Sequence, residues 1–390
     1  MNKILRLPSA QILLPLLAFV FAFFIGGILI VFADPEIMGQ IGDPLGFLSA
    51  AAVKIGNSYL AIFQGSIFDI NLARESGLMN GFYPFSETLV TATPLVLSGL
   101  AVALAFKSGL FNIGAQGQFI FGAIGASYVG FTFELYPLFH ISLALLAGII
   151  LGGLYGGLVG FLKARTGAHE VIVTIMLNYI AALFVLWLLK TKTFLRPERI
   201  DPIAPEVNES AKLPRLLGDD LRFHFGFIIA ILVTIFVWWI LNKSTIGFKF
   251  RAVGANSKAA KTAGISIPYV TTATMFICGG LAGLGGAVHL IGTEYSLTDG
   301  IAGSIGFDAI TVALLGQATP IGTFFGALLF AALQTGGRQL LSSTGTSSDI
   351  VLVIQALIVL FIAAPALVKK IFRIRKSLET KSMTAKGWNS

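Results

Sequence analysis

The sequence predicts an all-α polytopic membrane protein with about ten transmembrane helices, some broken or re-entrant, and both termini cytoplasmic. Three observations carry that expectation. The chain is 55% hydrophobic and only 12% charged, where a soluble domain has roughly 25% charged residues. Its mean hydropathy is +0.85. Apolar runs of near-spanning length recur from end to end, with the basic residues gathered in the segments on one side of them.

Taken in order, Lys3 and Arg6 precede a first apolar run over 10–33, interrupted only by Gln11 and Pro15. Val31-Phe32-Ala33 has the look of a signal-peptidase site, but a signal core is only roughly 7–15 residues long. The run is therefore expected to be an uncleaved first span with its N-terminus inside. Residues 34–87 mix Pro, Gly and acids around the weakly apolar 45–68, which carries Lys54 and Asn57. That pattern predicts an external segment with an interfacial helix, its apolar runs too interrupted to span.

Runs at 88–106, 117–133, 141–162 and 171–189 follow as spans two to five, and the Pro- and charge-rich 190–224 as an external loop. Span six, 225–241, leads into a cytoplasmic loop over 243–267. Span seven is 270–289, and 303–315, 321–341 and 349–368 complete the set. Residues 1–368 thus make a single transmembrane domain, followed by a basic tail at 369–390. The run 303–315 is short and bounded by glycines. It reads either as a span or as a re-entrant or broken helix.

Charge placement orients the chain. Under this topology the inside segments hold 17 of the 27 Lys and Arg residues but only two of the 19 acids, Glu170 and Glu379. That is the bias expected of cytoplasmic loops. It also explains a pI near 9.5 without nucleic acid, so membrane lipid is an expected partner and nucleic acid is not. The single cysteine, Cys278, cannot form an internal disulfide and reads as packing. The four histidines lack metal-ligand spacing, so no metal site is expected. Glycines at 148, 152, 156 and 160, with pairs at 279 and 283 and at 322 and 326, let helix backbones approach closely in lipid.

Four stretches depart from plain hydrophobicity. Gly109-Leu110-Phe111-Asn112-Ile113-Gly114-Ala115-Gln116-Gly117-Gln118-Phe119 gathers three amides and three glycines within eleven residues. An unpaired amide in hydrocarbon costs several kcal/mol, so Asn112, Gln116 and Gln118 must face other helices, water or a pathway. The glycines suggest unwound backbone. In the stretch opening span five, His169 and Glu170 form the first turn, where an acid complements the helix dipole, and Asn178 lies deeper, where it needs a partner. In the third, Asp308 is the one carboxylate well inside an expected span, with Phe307 beside it. An intramembrane acid is a functional candidate by default, the alternatives being a helix-start acid or a structural partner for an amide. Phe111, Phe119 and Phe307 either offer flat faces on which a base would stack or, like most of the 33 phenylalanines, simply face lipid or the core.

The fourth stretch is the loop 243–267, with Lys243, Lys249, Arg251, Lys258 and Lys261 and no carboxylate. Its run Asn256-Ser257-Lys258-Ala259-Ala260-Lys261-Thr262-Ala263 predicts a short helix with Asn256 or Ser257 as N-cap and Gly264 as its stop. Such a helix is either a cytoplasmic docking surface or an ordinary basic loop.

Three of these stretches also carry a resemblance. "GLFNIGAQGQ" and "HEVIVTIMLNYIA" look like the signatures of nucleoside-type permeases, and "AVGAN…AA…AGI" resembles the coupling loop of ABC importer permeases of the branched-chain amino acid, simple-sugar and nucleoside type. The resemblance runs from about residue 88 to 368, making 1–368 a permease domain. It implies a multi-pass subunit of the bacterial cytoplasmic membrane importing nucleosides by alternating access. The implied substrate pathway holds Phe111, Asn112, Gln116, Gln118, Asn178, Phe307 and Asp308. The implied coupling surface is Asn256, Ser257, Lys258, Ala259, Ala260, Lys261 and Gly264. Implied partners are ABC ATPase subunits, a second and non-identical permease subunit, an external substrate-binding lipoprotein and the small-molecule substrate. A simple-sugar permease is the nearest alternative. A proton- or sodium-coupled carrier using Asp308, Glu170 and His169 is a more distant one.

The chain contains no GxxxxGK[ST] loop, no nucleophile elbow and no HExxH, so no enzyme and no catalytic residue is expected. No cofactor is expected on this chain. ATP and Mg belong to the partner ATPases.

Overall fold

The computed structural model describes residues 10–218 and 220–364. Lys3, Arg6 and the tail 369–390 lie outside the described residues. Fifteen α-helices follow one another: α1 (Ala10–Phe32), α2 (Pro35–Met38), α3 (Pro44–Ser66), α4 (Ile70–Ser76), α5 (Tyr83–Lys107), α6 (Ala115–Thr132), α7 (Pro137–Thr166) and α8 (Glu170–Leu188). After a long loop come α9 (Gly226–Lys243), α10 (Thr245–Ala255), α11 (Ser257–Thr262), α12 (Ile267–His289), α13 (Ile305–Leu315), α14 (Pro320–Thr344) and α15 (Asp349–Ala363). Among the described residues, β-structure is limited to two isolated bridges. Among the described residues, seven helical stretches are long and apolar enough to cross a membrane: α3, Asn80–Lys107, α7, α8, α9, Ile267–Glu294 and α14. Shorter apolar helices add Leu17–Phe32, α13 and α15.

The chain divides into two units. The first comprises Met1–Ile70 and Ala332–Ser390. Here α1 packs along α15, with Gly26 against Ile354, and meets α3 through the Tyr59 hydroxyl, which donates to the Phe23 carbonyl. The helix expected here is α3, and at 23 residues it is long and apolar enough to cross a membrane, although its apolar runs read as too interrupted to span. Its interrupting lysine is neutralised locally. Lys54 Nζ lies 2.8 Å from Asp34 Oδ2 and donates to the Thr344 carbonyl at 3.0 Å. Eight residues further along α3 and eight residues earlier in α14, Ile62 backs onto Gly336, so α3 runs antiparallel to the C-terminal half of α14.

The second unit, Asn71–Ala331, is built on α12, which packs against α5, α6 and α7. Glycine makes this possible. A Cβ on Gly152 of α7 would fall 2.6 Å from Gly283 Cα, and one on Gly156 would fall 2.8 Å from Gly279 Cα, so the two backbones touch. Dispersion between close backbones holds helices together in lipid, where burial of apolar surface gains little. Cys278, also on α12, is fully buried.

Two breaks shape the unit. α12 ends in a single π-turn over Leu290–Glu294, closed by Tyr295 in the left-handed region at φ 59°. Irregular chain then leads to α13, which is only 11 residues long. Its far end turns into α14 through Gln317 and Ala318, both non-glycine residues with positive φ (53° and 50°). The run 303–315 thus holds one continuous helix of 11 residues. The loop 190–224 docks on the same break: Leu213, Val207 and Ala204 donate backbone N–H groups to the carbonyls of Ile291, Tyr295 and Leu297, each at 2.9 Å.

Candidate transport pathway and coupling surface

Gly109 leaves α5 in the left-handed region at φ 72°, pressed against Gly254, and the chain stays non-helical until α6 begins at Ala115. Three amides hold this unwound segment. Asn112 and Gln118 are both buried and bond reciprocally: Asn112 Nδ2 donates to Gln118 Oε1 at 2.9 Å, and Gln118 Nε2 donates to Asn112 Oδ1 at 3.1 Å. Asn112 Oδ1 also accepts from Gly114 N. Asn178 reaches in from α8, accepting from Gly117 N at 2.9 Å and donating to the Ile113 carbonyl at 3.0 Å. The backbone groups freed by unwinding are therefore satisfied by side chains, as a dry environment demands.

Gln116 points elsewhere. Its Nε2 donates to the Gly303 carbonyl at 2.7 Å and its Oε1 accepts from Gly306 N at 2.8 Å, so one side chain clamps the start of α13 to the start of α6. Asp308 lies in the first turn of α13, where its Oδ2 accepts from Ser304 Oγ at 2.7 Å. Phe307 is 51% exposed beside it. The structure thus brings Gln116, Phe307 and Asp308 together at two helix starts, with a carboxylate, an amide and an open aromatic ring. Asn112, Gln118 and Asn178 form the scaffold behind them. Phe111 instead packs on Phe106, ring centroids 5.1 Å apart. The roles of Gly303, Ser304 and Gly306 at this junction were not read from the sequence, although a serine just before an apolar run is itself a helix-start signal.

Glu170 and His169 occupy the turn between α7 and α8. Glu170 is buried and ion-paired with Lys163, and His169 Nδ1 lies 3.9 Å from it. On the docked loop, Lys212 Nζ bonds Glu206 at 2.7 Å and Glu209 at 2.5 Å, and sits 4.9 Å from the Tyr295 ring centroid. The Lys212 hydrogen bond holds the Glu206 carboxyl below its ordinary value. Burial, reinforced by Arg222 and Arg215, pushes His224 down to about 4, so it is neutral at physiological pH. Among the described residues, no group of His, Cys, Asp and Glu is placed to hold a metal ion.

The basic loop folds as two helices. Ser244 caps α10, its Oγ accepting from Gly247 N at 3.0 Å, and Asn256 caps α11, its Oδ1 accepting from Ala259 N at 3.0 Å. Gly264 follows α11 at φ 80°, a conformation that favours glycine. Ser257, Lys258, Ala259 and Lys261 are exposed, whereas Ala260 faces inward at 4% exposure.

Comparison with known proteins gives this geometry a context. The family model described as branched-chain amino acid transport system / permease component matches residues 85–363. The guanosine ABC transporter permease protein NupP of Bacillus subtilis is 37% identical over 321 residues, 82% of this chain and 90% of its own length. The nucleoside ABC transporter permease protein NupB of Lactococcus lactis is 34% identical over 97% of this chain and 98% of its own. The glucose ABC transporter permease protein TsgB13 of Haloferax volcanii is 31% identical over 82% of this chain and 86% of its own. No solved structure matches. The chain therefore belongs to the branched-chain amino acid transport system permease-component family: it is a multi-pass membrane pore subunit of an ABC transporter and not an enzyme.

Proposed function

We propose that this chain is the translocation subunit of an importer that carries nucleosides into the cell. The observation that carries the reading is the similarity to permeases named for guanosine and nucleosides, one of them along 97% of this chain. The junction of α6 and α13 supports it chemically. Phe307 presents a face for a base, and the Asp308 carboxylate accepts hydrogen bonds from ribose hydroxyls or base N–H groups. Gln116 sets the spacing between the two helix starts, and Asn112, Gln118 and Asn178 keep the unwound segment open at its side. Phe111 contributes an edge of the route below it.

In this proposal ten spans cross the membrane with both termini in the cytoplasm. α13 is the shortest of the ten, and α3 lies along α14 on the outer side without crossing. The concentration of basic residues in the inside segments supports that orientation. ATPase subunits dock on Asn256, Ser257, Lys258, Ala259, Lys261 and Gly264, with Ala260 anchoring α11 beneath them. A non-identical second permease completes the pore, and an external binding lipoprotein delivers substrate. ATP and Mg stay with the ATPases. Their closure moves α10 and α11, and the bundle alternates between outward and inward access.

The glucose permease relative keeps a sugar substrate as the second reading. Uptake of labelled guanosine, adenosine, uridine and glucose, in a strain lacking this chain and in the same strain complemented, separates the two. Restored nucleoside uptake with unchanged glucose uptake is expected. Restored glucose uptake alone would replace the substrate assignment.

A further inference from the structure

A cavity of about 390 Å³ lies where α5 ends, α9 runs into α10, and α14 begins; it is lined by Lys107, Trp238, Leu241, Asn242, Arg251, Thr319, Pro320 and Ile321. Its polar lining carries two cations and no carboxylate. Lys107 has no hydrogen-bond or ion-pair partner among the described residues, and neither has Arg251. A half-buried ammonium left unpaired is costly, and an anion beside it offsets that cost. Thr319 and Pro320 of its lining follow directly on the turn at Gln317 and Ala318, whose φ values are positive. Strain of that kind persists where the surroundings hold it for a purpose.

The walls say which anion. Above the cations, Trp238, Trp239, Ile235 and Leu232 on α9 and Ile321 and Phe325 on α14 are all exposed, giving an apolar slope that continues along both helices. Tryptophan at the end of a span, with lysine and arginine just beyond it, is the arrangement of a headgroup level. A soluble anion has no use for the slope; an acyl chain does.

We infer that this cavity binds the headgroup of an anionic phospholipid, with the phosphate held by Lys107 and Arg251, its hydroxyls at Asn242 and Thr319, and an acyl chain on the α9–α14 slope. Bound there, the lipid ties α10, which belongs to the coupling loop, to the turn that ends α13. It braces the path from the ATPase side to the far end of the helix that carries Asp308. The lipid site stands independently of which substrate the importer carries.

The test uses the whole complex, purified with its ATPase and partner subunits and placed in nanodiscs of phosphatidylcholine alone or with phosphatidylglycerol. Native mass spectrometry reads the retained phosphatidylglycerol, and ATPase rate is read alongside. Lys107→Gln and Arg251→Gln are each expected to lower retention about fivefold, and the pair further. Asn242→Asp, which leaves both cations in place but sets a carboxylate among them, is expected to expel the lipid as well. This second kind of variant keeps the test decisive if neutralising Lys107 impairs folding. Glycerol phosphate added to phosphatidylcholine discs should not reproduce the effect of phosphatidylglycerol on the ATPase rate. Equal retention in parent and variants would overturn the inference. So would full replacement by glycerol phosphate, which would make the cavity a soluble-anion site. Loss of the ATPase subunit from the Arg251→Gln complex with lipid retention unchanged would also overturn it, assigning the cations to acidic side chains of the ATPase.

Discussion

Asn112 and Gln118 illustrate how a polar residue is tolerated in an apolar bundle. Each amide satisfies the other, and neither reaches solvent. Removing one leaves its partner's buried amide unsatisfied, which costs about 1–3 kcal/mol, while removing both leaves only the Gly114 N–H without its side-chain acceptor. Asn112→Ala and Gln118→Ala should each lower the thermal unfolding midpoint in detergent. The double variant should fall well short of the sum, with a coupling of about 0.5–3 kcal/mol. A strictly additive pair would show that the reciprocal bond contributes nothing. That these amides need partners is legible in the sequence. Their partners are not, because Asn178 lies 61 residues from Gly117 and Gln116 lies 190 residues from Gly306. Asp34 teaches the same lesson outside the spans. Its hydrogen bond from Lys54 holds the carboxyl below the ordinary value of 3.8. A depressed folded-state value stabilises the fold above the ordinary carboxylate range and loses that contribution as pH falls through and below about 4. Unfolding midpoints measured across that window should decline for the parent chain, and Asp34→Asn should flatten the decline.

Among the helices, α11 was legible almost residue by residue: Asn256 caps it, alanines fill it and Gly264 follows it. α10 was not, because Gly247 and Gly254 weaken its local propensity. The structure keeps both for contact, Gly247 against the Ile240 carbonyl and Gly254 against the Lys107 carbonyl. α3 was misjudged for a different reason. Lys54 and Asn57 interrupt the hydropathy of the run, yet Lys54 is neutralised by Asp34, a partner 20 residues upstream. Charge on a helix counts against membrane depth only when it lacks a counter-ion. The α11 helix separates docking from folding. Ala259→Glu, on its exposed side, should abolish stimulation of the partner ATPase in the reconstituted complex while leaving yield and insertion unchanged. Ala260→Glu, pointing inward, should also reduce the amount of folded chain recovered. Equal, parent-like stimulation by Ala259→Glu would remove α11 from the coupling surface.

At the scale of the whole molecule, fold class and family were legible because composition, charge bias and three motif stretches agree with one another. What a linear reading could not supply is the meeting of two interrupted helices. The Gln116 clamp brings a non-helical segment after α5 and an 11-residue helix after a π-turn to one place, and only there do Phe307 and Asp308 acquire a common surface. Broken helices facing a shared cavity are how transporters expose backbone and polar groups without meeting lipid. The central claim is that this junction lines the route of the substrate. The most direct measurement replaces Phe307 with cysteine and treats the working importer with a membrane-impermeant methanethiosulfonate reagent while guanosine uptake is followed. Cys278, buried against α12's neighbours, stays in place as an unreactive background. The account predicts that modification of Phe307→Cys blocks uptake, that guanosine slows the modification, and that trapping the ATPases in their closed state changes its rate. Tyr179→Cys, also exposed but midway along the α8 span, should leave uptake unchanged under the same treatment. Uninhibited uptake by a fully modified Phe307→Cys chain would contradict the account.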